Sequence, residues 1–216
     1  MSTLVTLLDI ACGRPIPPEE EGRARRMYLG VVALLLSLLF AAAWGLAVGS
    51  RSTGLAVANL YKVPAVVLLS TAFAAPAGFL AWRLSGARVR GSDLALGFAS
   101  GVFGGTLVLA VLAPIVALYY HSSAWAGPLL GIGSAILALV SGSVMFVSGV
   151  VRRLDPNASR LAVALPVMVT LTMQVATLLQ LAAIASPILP ERTVFSGGID
   201  HIAHGHVATP DDGEGR

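Results

Sequence analysis

Five stretches of this chain run for twenty residues or more without a charged side chain, and that pattern limits the fold more than any other feature. They are residues 27–48, 63–82, 94–118, 124–151 and 161–184. A helix needs about 20 apolar residues to cross a hydrocarbon core of roughly 30 Å, so each run predicts one membrane span. A soluble domain of 216 residues that is 56% hydrophobic and 12% charged would have no way to hide its apolar surface from water. Pro64, Pro76, Pro114, Pro128 and Pro166 lie inside the runs. They would break soluble helices, but a span tolerates them where neighbouring helices and Ser or Thr hydroxyls satisfy the freed carbonyls, and kinks are expected there. Aromatic residues gather where runs end, at Tyr28 and Trp44, Tyr61 and Trp82, and Tyr119, Tyr120 and Trp125, as in an interfacial belt.

Ahead of the first run, Leu4, Leu7, Leu8 and Ala11 recur at helical spacing and stop at Gly13 and the prolines that follow, which predicts a short interfacial helix. The expected fold is therefore all-α: a polytopic membrane protein of five transmembrane helices with a short N-terminal interfacial helix. Its parts are a cytoplasmic N-terminal segment (1–26), a five-helix transmembrane domain (27–184) and an exterior polar tail (185–216). The opening nine residues carry no basic side chain, so no secretory signal is expected and the first run should remain as a span.

Orientation follows from basic residues. With the N-terminus cytoplasmic, that side collects Arg14, Arg23, Arg25, Arg26, Arg83, Arg88, Arg90, Arg152, Arg153 and Arg160, and the other keeps Arg51, Lys62, Arg192 and Arg216. Ten against four is a positive-inside bias, which places the C-terminus outside. Thirteen arginines against one lysine, with abundant Ala, Gly and Val, suggest a GC-rich bacterial source and hence a bacterial inner (plasma) membrane. Because the arginines are dispersed over short loops, the net charge of +3 is no nucleic-acid footprint.

The residues that would carry chemistry are sparse. All eleven acidic residues are expected outside the spans, as is every basic one. Ion-coupled transporters place ionisable groups near the midplane, so this emptiness argues against them. No catalytic residue is assigned: His121, beside Tyr119 and Tyr120, reads better as an interfacial hydrogen-bonding group than as a base. Cys12, the single cysteine, can form no internal disulfide. His201, His204 and His206 are weak metal candidates in a Gly-containing stretch that promises no preformed geometry, so no metal or other cofactor is expected.

Gly97, Gly101 and Gly105 are spaced by four, which puts three bare positions in one stripe where another helix can approach closely. Gly127, Gly131 and Ala135 open a similar stripe in the fourth run, and packing between these two antiparallel helices is the expected use, with oligomerisation the alternative. Ser70, Thr71, Thr170 and Thr172 either line a pathway or bond to carbonyls of their own helix. Gln174 and Gln180 most need partners, since an amide in hydrocarbon is costly alone.

The segment Tyr61-Lys-Val-Pro-Ala-Val-Val-Leu-Leu-Ser, leading through Pro76 to the Arg83-Leu-Ser-Gly exit, resembles the second-span signature of bacterial multi-pass proteins of the Yip1 superfamily, and Val111-Leu-Ala-Pro-Ile-Val-Ala-Leu-Tyr resembles their third. The resemblance covers roughly residues 59–180. It implies five spans, a cytoplasmic N-terminus and an exterior C-terminus; the eukaryotic relatives organise vesicle membranes. Gln174 matches a glutamine of that pattern, whereas Gln180 and Leu181 stand where relatives carry an Arg-Pro pair.

These readings converge on a non-enzymatic integral membrane protein, an accessory or organising component that binds membrane lipids, other membrane proteins or itself, and no nucleic acid. The alternative is a small-solute facilitator or channel, which should show a continuous polar groove. Reporter fusions after Ser50, Ser85 and Arg216 should read outside, inside and outside. An inside reading at Arg216 would mean that the span count is wrong by one.

Overall fold

Lipid offers no hydrogen bonds to an exposed backbone, so an apolar chain crossing it must satisfy its own peptide groups, and the helix does so within one segment. The computed structural model describes residues 3–12, 14, 22–86, 91–123, 125–152 and 160–185. Among these residues the chain is all-helical: α1 (Thr3–Ala11), α2 (Arg23–Gly49), α3 (Thr53–Ser85), α4 (Gly91–Ser122), α5 (Ala126–Val151) and α6 (Arg160–Ala185). Five of them, α2 to α6, are long and apolar enough to cross a membrane.

The helices outrun the uncharged stretches. The 33 residues of α3 span roughly 50 Å, well beyond a hydrocarbon core of about 30 Å, so its ends stand in the interfacial layers. Lys62, exposed in the third turn of α3, can extend its ammonium to water along its own stem. Pro64, Pro76, Pro114 and Pro166 all lie within continuous helices, whereas Pro128 falls in the first turn of α5, where its missing N–H is no loss. α3 ends at Gly86, whose φ of 65° is the left-handed conformation that terminates a helix cheaply only for glycine.

Charged residues expected outside the spans extend the long helices: Arg23, Arg25 and Arg26 in α2, Lys62 and Arg83 in α3, Asp93 in α4 and Arg160 in α6. Arg26 lies in the first turn of α2 and Asp93 in the first turn of α4, and the two form an ion pair with side chains only 9% and 15% exposed. α1 is the short N-terminal helix that the spacing predicts, although Leu4 does not share its sheltered face. Its sheltered face is Thr6, Leu7, Ile10 and Ala11, packed with Leu29, Ala33, Leu96 and Phe103 of α2 and α4, while Leu4 is exposed. The short helix is thus docked on the helix bundle through one face.

By backbone approach the five long helices form a row, curled so that Ala74 of α3, Phe98 of α4, Phe146 and Val150 of α5 and Val167 of α6 share one buried cluster. α2 packs on both α3 and α4, α6 packs on α3, and α5 packs on α4, giving the order α6, α3, α2, α4, α5. Glycines set the closest seams. A Cβ built on Gly101 would lie 2.8 Å from the Gly142 carbonyl oxygen and from Phe146 Cβ, and one on Gly105 would lie 2.7 Å from the Ala138 carbonyl. The α4 stripe therefore meets Gly142 and Ala138, not Gly127 and Gly131. In an antiparallel hairpin the residues near the turn can meet only one another, so Gly127 and Gly131 receive the Tyr120 ring near the end of α4. Gly45 and Gly49 make the α2–α3 seam: a Cβ on Gly49 would sit 2.6 Å from Ala56 Cα.

Adding one methyl group should separate buried seams from open faces. Gly101→Ala forces the α4 and α5 backbones apart and should cost about 1–3 kcal/mol. Gly133→Ala, where nothing lies within 4 Å, should be neutral or slightly stabilising through helix propensity. Thermal unfolding of the purified variants in mild detergent checks the contrast; equal midpoints would remove the seam assignment.

Candidate functional site

The row leaves α5 and α6 at its two ends, with no close backbone seam between them among the described residues. What lies between is a half-open groove with a cavity of about 390 Å³. One wall is α4 and α5, through residues such as Val102, Leu109, Ile136 and Leu139; the other is α3 and α6, through Val63, Val67, Leu171 and Leu178; Trp44 of α2 contributes at the base. Gly101, Gly105 and Gly142 lie on its floor, so the seam that joins α4 to α5 also makes room inside the groove.

Among the described residues no charged side chain lines the cavity, and the polar ones that do are Trp44, Thr106, Ser143 and Gln174. Two of these are committed to the protein. The Trp44 indole Nε1 donates to Ser134 Oγ at 3.0 Å, tying α2 to α5, and Thr106 Oγ1 donates to the Val102 and Phe103 carbonyls of its own helix. Ser143 is half-buried on α5.

Gln174 is the distinctive group. It is 7% exposed, near the middle of α6, and its Nε2 donates to Ser70 Oγ of α3 at 3.0 Å. Ser70 in turn donates its hydroxyl proton to the Val67 carbonyl at 3.0 Å. With its proton committed, the Ser70 oxygen can only accept, so the group facing it must be the amide nitrogen of Gln174. The Gln174 Oε1 is consequently left as a buried acceptor with no donor. Burying an acceptor without a partner costs about 1–3 kcal/mol, so this oxygen, enclosed at the α3–α6 seam, is a local cost of the packing.

Other residues singled out in the sequence fall elsewhere. Gln180 is exposed on α6 and lines no part of the cavity. Thr71 and Thr170 donate to carbonyls four residues back in their own helices, Val67 and Pro166. His121 is exposed at the end of α4. His201, His204 and His206 lie outside the described residues. Sequence reasoning passed over Gly78, where an added Cβ would strike the Thr170 hydroxyl at the α3–α6 seam, and also Gly45 and Gly49, although that pair has the same four-residue spacing as the stripe it did find.

No family model, no curated protein and no solved structure matches the chain.

The Ser70–Gln174 bond can be weighed by a double-mutant cycle. Ser70→Ala strips the amide of its one partner and should cost about 0.5–1.5 kcal/mol. Gln174→Leu removes the bond and the orphaned oxygen together, and should be nearly neutral. The double variant should therefore be more stable than Ser70→Ala alone, as read from detergent unfolding; strict additivity of the two changes would show that the bond carries no weight.

Proposed function

We propose that this chain is a non-enzymatic membrane protein that acts by binding an apolar molecule from the bilayer in its lateral groove. The observation that carries the reading is the groove itself: concave, uncharged, of ligand-pocket volume, and walled by helices on both sides. A facilitator for a polar solute would need a continuous polar lining, and here aliphatic side chains supply the walls. Acid–base catalysis would need a titratable group at the reacting centre, and among the described residues no such side chain lines the cavity.

The setting we propose is a bacterial inner membrane with the N-terminus cytoplasmic, supported by the distribution of arginines. In that orientation the Arg26–Asp93 pair and α1 stand at the cytoplasmic end. A Yip1-like accessory role, resting on the short apolar motifs of α3 and α4, is compatible with a protein that holds lipid or presents it to others.

A hydrocarbon probe tests the binding reading. In nanodiscs of bacterial phospholipids, a diazirine-bearing alkane should label α5 and α6 residues of the groove. Ile136→Trp, at a side chain that is 58% exposed and lines the cavity, should abolish that labelling without lowering thermal stability. Labelling that ignores Ile136→Trp, or gradient-driven accumulation of a polar solute by proteoliposomes, would overturn it.

A further inference from the structure

We infer that the groove takes one acyl chain of an anionic phospholipid from the leaflet on the side of the α2–α3 and α4–α5 turns, with the lipid phosphate paired to Lys62. The inference rests on the binding reading above and adds the headgroup of the ligand and the leaflet it comes from.

The groove is closed at one end. Phe98 near the start of α4 and Phe146 near the end of α5 meet edge to face with ring centroids 5.5 Å apart, and Ala74, Val150 and Val167 complete a buried cluster with them. Since α4 and α6 begin on that side and α5 ends there, the cluster joins α5 to α6 near the surface that carries the Arg26–Asp93 pair. From it the cavity runs past Leu139 and Leu171 toward Ile132, Leu179 and Trp44, in the half of the row nearer the two turns. A partner span or a second copy of this chain would need a seat across the whole hydrocarbon core, and the cluster interrupts it. A lipid chain reaches only about halfway through that core, which is the depth the groove offers.

A cation stands at the other end. Lys62 precedes Val63 and lies one helical turn before Val66, both residues of the groove wall. A Cβ on Gly45 would lie 3.3 Å from Val63 Cγ2, so Lys62 is level with the neighbourhood of Trp44. With α3 centred on a core of about 30 Å, the hydrocarbon boundary falls about 10 Å along the helix, and the Lys62 Cα, about 14 Å along, sits just inside it. Its apolar stem carries the exposed ammonium up to the phosphate layer.

That charge has no counterpart among the described residues. The acidic side chains described are Asp9 and Asp93, and they pair with Arg14 and Arg26 at the opposite end of the row. An apolar slot beneath an uncompensated ammonium complements a molecule with a hydrocarbon chain at one end and an anion at the other.

The test compares phosphatidylglycerol with diacylglycerol, each carrying the same diazirine-bearing chain, in phosphatidylcholine nanodiscs containing the full chain. Phosphatidylglycerol should bind about two- to fivefold more tightly. Lys62→Gln should bring it to the level of diacylglycerol without lowering thermal stability, and Lys62→Arg should keep the preference. A diazirine near the headgroup should label Ile132 and Leu179, and one at the chain end Leu139 and Leu171. Ile136→Trp should block both lipids. Equal binding of the two by the unmodified protein, or a preference that survives Lys62→Gln, overturns the headgroup inference and leaves the groove reading intact, provided that Ile136→Trp still blocks them. The reverse order of labelling along the groove overturns the leaflet assignment. If Ile136→Trp blocks neither lipid, both readings fall. A chain that is dimeric in these nanodiscs, unlabelled, and monomeric as Ile136→Trp gives the groove to a second copy and overturns the lipid inference.

Discussion

The approach of bare backbones at glycine is the contact on which the rest of this molecule depends. Lipid tails are as apolar as leucine, so spans gain little by burying hydrophobic surface against one another and must be held by close packing and interhelical hydrogen bonds. Gly101 and Gly105 bring α4 against the Gly142 and Ala138 backbone, and Gly45 and Gly49 bring α2 against α3. With α2 serving both α3 and α4, these seams fix the order of the row. Among the described residues, polar ties between different helices include Arg26 to Asp93, Trp44 to Ser134, and Gln174 to Ser70.

A row of helices held in this way has ends, and its ends are where the groove arises. α5 rests on α4 and α6 rests on α3, and beyond the buried cluster that Phe146 and Val150 share with Val167 the two terminal helices part around the cavity. Their cavity-lining faces converge above Trp44 and enclose it. The glycines contribute twice. By lacking side chains they let α4 and α5 touch, and by lacking them on the cavity side they leave its floor low.

How much of this could be read in the sequence depends on what each feature costs in lipid. The spans were legible because hydrocarbon thickness sets a minimum run length, and a charge inside such a run is penalised. The stripe at Gly97, Gly101 and Gly105 was legible because four-residue spacing is a geometric signature of one helix face. Its partner was not: Gly142 sits alone between two serines, and only the position of the α4–α5 turn sets which residues oppose each other. Gln174 was recognisable as an amide in need of a partner, but nothing local distinguished Ser70 from the other hydroxyls. The groove was the least legible feature, since in a membrane helix the lipid-facing, groove-facing and packed sides are all apolar. Hydrophobic periodicity, which separates inside from outside in water, carries little of that information here.

The half-satisfied state of Gln174 is best understood against its alternatives. A leucine at that position would fill the wall and need no partner, and a protein selected only for a tight α3–α6 seam would gain by having one. The glutamine instead spends one amide proton on Ser70, which holds the side chain in place, and keeps its oxygen unpaired beside a cavity of neutral character. A second internal donor would settle the energy. An ionisable residue in its place would draw charge and water into the span. An amide anchored by one hydrogen bond ties α6 to α3 without bringing a charge into the span.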